Sequence, residues 1–220
     1  MTTIPNRIEH IEPCVDSLLA QGLPVYVWAQ EQTERTGAVL KRVPAFLYDK
    51  SGLTVTVVKE RGPITKLLPA LEAGHEIVIT ADDDHTYGLR WAAGLLKNAE
   101  KRPDAAVCYR GRIFDESRIY SKSKVITKTR RPVDFITGVS GAIYHRSFFD
   151  DSIFEEWKDW FMNDDIVVSA HLKRRGVPML VVPLPKGCHI KRQDCAHIDP
   201  LYAINIKKQL NDKGLEKVFF

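Results

Sequence analysis

No stretch of this chain approaches the roughly 20 consecutive apolar residues that a bilayer-spanning helix needs. The opening MTTIPNRIEH has neither the basic leader nor the apolar core of a secretory signal. Cysteine is sparse: Cys14, Cys108, Cys188 and Cys195 are scattered with no Cys-x-x-Cys pair, which argues against a disulfide framework and for a reducing compartment. Glycine and proline, 13 and 12 of 220 residues, are too few for a collagen-like or low-complexity chain. There is no internal repeat, no P-loop Gly-Lys-Ser/Thr and no linker long enough to divide the sequence. Charge of one sign is also lacking, since 32 Lys and Arg face 28 Asp and Glu for a net of +4, far from the excess of a nucleic-acid coat.

What is present is an ordinary globular composition, 44% hydrophobic and 27% charged, arranged as alternating strand and helix segments. Ile8, Ile11, Val15, Leu18 and Leu19 recur at helical spacing, and Asn6 with Glu9 gives a capping-box start, so a first helix is expected over about 7–21. Strands are expected at 24–28, 53–58, 76–80 and 105–109, with helices at 66–71 and 89–99 between them. This order predicts a single α/β domain over 1–220, a three-layer α/β/α sandwich on a mixed, mainly parallel sheet. The second half, with strand-like runs at 135–137, 142–144 and 179–182, breaks the pattern, so the sheet is expected to be mixed there.

The most informative feature is Asp82-Asp83-Asp84 directly after the apolar run Glu76 to Thr80. Strand ends in open α/β sheets are where ligands collect, and adjacent carboxylates repel unless a cation or donors offset them. A hard divalent ion, Mn²⁺ or Mg²⁺, would do so. A solvated turn capping the helix that starts near Gly88 explains the triplet equally well. Gly62-Pro63-Ile64-Thr65-Lys66 places a turn and a lysine where an anion could meet helix amides, or is an ordinary N1 proline with a surface lysine. Gly138-Val139-Ser140-Gly141 marks either a bulge or a close backbone approach. Asn163-Asp164-Asp165 reads as an N-cap followed by first-turn acids, one of which could serve as a general base.

In combination, Thr2 to Arg7, Gly62 to Leu67, Asp82 to Asp84, Thr137 to Tyr144 and Asn163 to Ile166 resemble, in that order, the nucleotide-sugar glycosyltransferases of the GT-A fold. The likeness is to a small-domain group that includes a chlorovirus capsid-glycosylating enzyme, and it runs from Thr2 to about His189. The resemblance implies a nucleotide-binding half over about 1–110 and an acceptor-side half over about 111–220. It implies that Asp82, Asp83 and Asp84 fill the Asp-x-Asp role, one carboxylate near the ribose and Asp82 and Asp84 on the metal. Thr3, Arg7 and Lys66 would face the nucleotide, and Asp164 or Asp165 would activate an acceptor hydroxyl. His189 would complete the metal shell, with His85 as the rival ligand.

The implied activity is transfer of a sugar from a UDP-sugar to a glycan or glycoprotein hydroxyl, with inversion and with Mn²⁺ or Mg²⁺. The implied location is the cytoplasm, that of the host for a viral member. Glu60-Arg61 departs from the pattern by placing a basic residue where an acidic or aromatic contact to the base is expected. A sugar nucleotidyltransferase is the alternative enzyme. A module binding anionic polymers is the alternative without chemistry, resting on the basic stretch Ser121 to Arg131. That stretch carries five of the 32 basic residues and no acid, reads as a loop, and without it the chain is close to neutral.

Overall fold

The computed structural model describes residues 1–161, 163–201, 204–205 and 209–220. Each β-branched run of the first half becomes a strand. In chain order the elements are β1 (Thr2–Thr3), α1 (Glu12–Leu19), β2 (Val25–Gln30), β3 (Gln32–Thr33), β4 (Ala38–Val39), β5 (Leu53–Val58), α2 (Leu68–Glu72), β6 (Ile77–Thr80), β7 (His85–Tyr87), α3 (Trp91–Lys101) and β8 (Ala106–Cys108). The second half adds β9 (Gly111–Ile113), β10 (Lys124–Ile126), β11 (Arg131–Pro132), β12 (Phe135–Ile136), β13 (Ala142–His145), α4 (Ile153–Glu156), α5 (Asp164–Arg174), β14 (Met179–Val181), β15 (Ile190–Arg192) and α6 (Leu210–Gly214).

Two sheets form the central layer. One is β1-β2-β5, with both ladders parallel. The other is β11-β14-β8-β13-β6, in which β14 and β8 are parallel and the remaining ladders antiparallel. The switch to mixed pairing in the second half is thus observed.

Strand alternation sends successive side chains to opposite faces. Ala106, Cys108, Ala142, Tyr144, Met179 and Val181 enter one core with Leu68 and Leu71 of α2, Ile153 of α4 and Val167 and Leu172 of α5. Val107, Ile143 and Leu180, the residues between them, enter a second core with Val15 and Leu18 of α1 and Trp91 and Leu95 of α3. Helices therefore cover both faces, which is the three-layer arrangement expected. The carboxyl ends of β1 and β6 and the start of α5 meet at one edge of these layers.

Two expectations are corrected. The helix expected over 7–21 is a 3₁₀ turn, Ile8–His10, followed by the shorter α1. Pro13 lies in the first turn of α1, where a missing N–H costs nothing, and the Asn6 side chain donates to Thr36 Oγ1 at 3.3 Å instead of capping. The basic stretch is not a loop. It contains β10, antiparallel to β9, and ends in the edge strand β11, where Pro132 is tolerated. All four cysteines are free thiols, and among the described residues no helix is long and apolar enough to cross a membrane.

Candidate active site

The Gly62-Pro63 turn sets the site's main cation. Gly62 sits at φ 68°, a left-handed conformation that glycine adopts freely, and its carbonyl accepts hydrogen bonds from the Thr65 amide and hydroxyl and from Gln30 Nε2. In the 3₁₀ turn Ile64–Lys66 that follows, the Thr65 and Lys66 amides donate to the Gly62 and Pro63 carbonyls, and the side chain of Lys66 meets the site. Lys66 Nζ lies 2.5 Å from Asp82 Oδ1 at the end of β6 and 3.1 Å from Asp164 Oδ2 at the start of α5. Burial disfavours its charge, but Asp164, Asp82 and Asp165 outweigh that and hold the ammonium well above the usual lysine range.

The other carboxylates of the triplet are also paired. Asp83 accepts from Thr3 Oγ1 and from Arg7 Nη1, both at 2.8 Å. Burial raises its carboxyl, and Arg7 and Thr3 limit the rise. Arg7 is fixed in turn by Nε donating to the Ile198 carbonyl at 2.8 Å, and it lies 3.8 Å from Asp84. Asp84 Oδ1 is 2.6 Å from His85 Nδ1, a pairing that overcomes burial, lowering the Asp84 carboxyl and raising the His85 imidazole.

Asp82, Asp84 and His85 each present a ligand atom within 4.8 Å of the others, the grouping among the described residues that could hold a metal. His189 is not brought to this group. Antiparallel pairing of β15 with β7 sets Arg192 opposite His85 and Ile190 opposite Tyr87, which carries His189 to Gly88, whose amide donates to the His189 carbonyl at 2.8 Å. Three residues of strand place it about 10 Å along from His85. The expectation of His189 beside the triplet is therefore corrected, and the rival His85 stands there instead.

The acids of α5 follow from its cap. Asn163 Oδ1 accepts from the Ile166 amide at 3.4 Å, so Asp164 and Asp165 occupy the first turn, as the sequence predicts. Asp165 Oδ1 accepts the Gly138 amide at 2.8 Å, and a Cβ at Gly138 would stand 2.9 Å from that same oxygen. Close approach therefore requires glycine there. Burial first, then the neighbouring charge of Asp164, push the Asp165 carboxyl up to about 8, against the pull of Lys66.

A cavity of about 480 Å³ joins these groups, lined by Thr3, Arg7, Lys66, the three aspartates, Asp164 and Asp165. Arg35, Glu60, His85, Arg110 and Arg192 complete its charged wall, and of these only Glu60 and His85 stand beside a motif of the sequence. Arg61 turns outward to Glu72 at 2.5 Å, so Glu60 is the acidic residue facing the cavity at that position. The cluster Lys122, Lys124, Lys128, Arg130 and Arg131 is not part of the wall.

None of the curated proteins matches this sequence. Among solved structures, GalNAc-T7 with UDP, GalNAc and Mn²⁺ is similar, with a TM-score of 0.57 and 13% sequence identity over 82% of this chain. At that identity the likeness is one of fold, GT-A, and the match spans only 41% of that enzyme's length. Residues 2–158, from β1 through α4 and including the whole aspartate triplet, match the family described as Glycosyl transferase family 2, and the chain belongs to that family.

Proposed function

We propose that this chain is a metal-dependent glycosyltransferase that moves a sugar from a nucleoside-diphosphate donor, a UDP-sugar, to a hydroxyl of a glycan or glycoprotein, with inversion. The observation that carries the reading is the Lys66 bridge, one ammonium holding a carboxylate of the aspartate triplet and a carboxylate of α5 against a common cavity. Donor-side and acceptor-side groups thereby share one charge network. UDP and Mn²⁺ in the similar GalNAc-T7 structure point to the same donor and ion.

The donor set of Asp82, Asp84 and His85, two carboxylates and an imidazole, fits Mn²⁺, and its oxygens fit Mg²⁺. A bound ion would supply positive charge beside the departing diphosphate. Lys66 and Arg7 add fixed cations on the same side, where the leaving group gains negative charge. Thr3 and Arg7 hold Asp83 rigidly, which suits a carboxylate that orients a ribose.

We assign the base to Asp165. Its Oδ1 is fixed by the Gly138 amide, so the carboxylate is oriented with its other oxygen available to a hydroxyl. As the acceptor oxygen bonds to the anomeric carbon, its proton passes to Asp165 and the pair of the breaking sugar–phosphate bond leaves on the phosphate oxygen. Asp164 acts through Lys66 as a positioning residue. In this reading 1–110 supplies the nucleotide groups and 111–220 the base.

Membership of a glycosyl transferase family favours this reading over a sugar nucleotidyltransferase. Calorimetry with UDP tests it: binding is expected only with Mn²⁺ or Mg²⁺ and is lost in Asp84→Ala. Absent or metal-independent UDP binding would overturn it. A donor-hydrolysis screen over nucleotide sugars then identifies the sugar.

A further inference from the structure

The cations of the cavity wall are not all matched by its acids. Lys66 is taken by Asp82 and Asp164, Arg7 by Asp83 and Asp84, and Arg35 by Asp199 at 3.3 Å. Arg110 differs from these. It lines the same cavity, its Nε is buried without a hydrogen-bond partner, and among the described residues no carboxylate lies within ion-pair distance of it. Its backbone is not free to drift, because the Arg110 carbonyl accepts the Thr137 amide at 3.1 Å. A buried donor without an acceptor is costly unless a ligand supplies one.

Register places the backbone of Arg110. Thr80 of β6 and Cys108 of β8 both face Ala142 of the strand between them. Asp82 and Arg110 each lie two residues further on, so they occupy equivalent strand ends two spacings apart, about 10 Å. The Arg110 backbone therefore stands two strands from the triplet, on the side of the cavity where Thr137 and Gly138 lead to Asp165. Thr137, bonded to it, is followed by Gly138, whose amide holds Asp165. The cations suited to a diphosphate are at the triplet, and Arg110 belongs to the end where sugar and acceptor would meet.

Resting on the function proposed above, we propose that Arg110 is a specificity-determining residue that binds a carboxylate borne by one of the two sugars, so that the enzyme handles a uronic acid as donor sugar or as acceptor. A planar guanidinium pairs with a carboxylate through two parallel hydrogen bonds, which a neutral hexose cannot offer. Selection against the neutral sugar then arises from the donor left unpaired.

Calorimetry distinguishes the two sources. UDP, UDP-glucose and UDP-glucuronate are titrated with Mn²⁺ present. Methyl glucuronide and methyl glucoside are titrated into the protein with and without UDP. The carboxylate-bearing member of one pair is expected to bind at least tenfold more tightly, and Arg110→Gln should abolish that preference while UDP affinity stays within twofold. A preference among nucleotide sugars puts the carboxylate on the transferred sugar, and one among the methyl glycosides puts it on the acceptor. Equal affinities within both pairs overturn the proposal. So does a preference that survives in Arg110→Gln, or an equal loss for UDP itself, which would assign Arg110 to the diphosphate. Thermal melting of Arg110→Gln confirms that the variant compared is folded. Failure of UDP to bind at all overturns the proposed function instead, and the glycoside titrations without UDP still decide the role of Arg110.

Discussion

Asp165 is held in a state that suits chemistry more than stability. Its carboxyl is raised from an ordinary value of 3.8 to about 8, so between those values the folded protein binds a proton that the unfolded chain has released. Stability contributed through this group therefore falls as pH rises from about 4 to about 8 and changes little above that. Asp165→Asn, which carries no charge, is expected to raise the melting temperature, by an amount that grows from pH 5 to pH 8. A tenfold change in proton affinity corresponds to about 1.4 kcal/mol, so the gain is on the order of a few kcal/mol at most. The same variant should retain UDP binding and lose transfer by about 10²-fold or more. Transfer by the unmodified enzyme should rise with pH toward 8 as the base ionises. A pH-independent melting difference, or transfer retained in Asp165→Asn, contradicts the assignment. Removing Lys66 acts in the opposite sense, because it leaves Asp82 and Asp164 without their shared cation. Lys66→Ala is expected to lose about 3 kcal/mol in denaturant unfolding, the cost of breaking a buried pair, together with UDP affinity.

Elements position these residues through caps and pairings of unequal legibility. Asn163 caps α5 through Ile166, and its side-chain amide also donates to Asn211 Oδ1 at 2.6 Å. Asn163→Ala should cost about 1 kcal/mol in unfolding free energy and lower kcat with little change in UDP affinity, since it loosens the turn that carries Asp164 and Asp165. Gly138→Ala should likewise lower kcat by displacing the Asp165 oxygen that a Cβ would crowd, and steady-state kinetics separate this from a KM effect. The α5 start and the triplet at the end of β6 are legible because cap, charge and apolar run are consecutive in sequence. The place of His189 is not, because it depends on the register of β15 against β7, which is fixed by long-range pairing. The apolar period overextends the first helix because it runs through Arg7 and Pro13, whereas tertiary bonds from Arg7 and the fixed φ of Pro13 decide where the helix begins. Arg110 carries a usable signal, since it stands two residues past a strand, as Asp82 does. Nothing local shows that it lacks an acid.

At the scale of the whole molecule, the question is whether the two cores stand or fall together. They are separated by a sheet whose strands send alternate residues into each, Ala106 and Cys108 to one side and Val107 to the other. Losing one core therefore exposes a face of the same strands that support the second. The cavity makes the same connection, since its groups come from β1, from the turn before α2, from the end of β6 and from α5. A single cooperative unit is the expected behaviour. Leu95 on α3 and Leu172 on α5 are each fully buried, one in each core. Leu95→Ala and Leu172→Ala should each cost about 2–5 kcal/mol through lost transfer energy and the cavity left behind. For a chain of 220 residues that lowers the melting temperature by about 2–4 °C per kcal/mol. Both variants should shift one common transition, seen alike by far-ultraviolet circular dichroism and by tryptophan fluorescence. Trp91 lies in the Leu95 core and Trp28 in the Leu172 core, so the fluorescence change samples both sides of the sheet. Two separated transitions, with each variant moving only its own, would show instead that the two cores unfold independently.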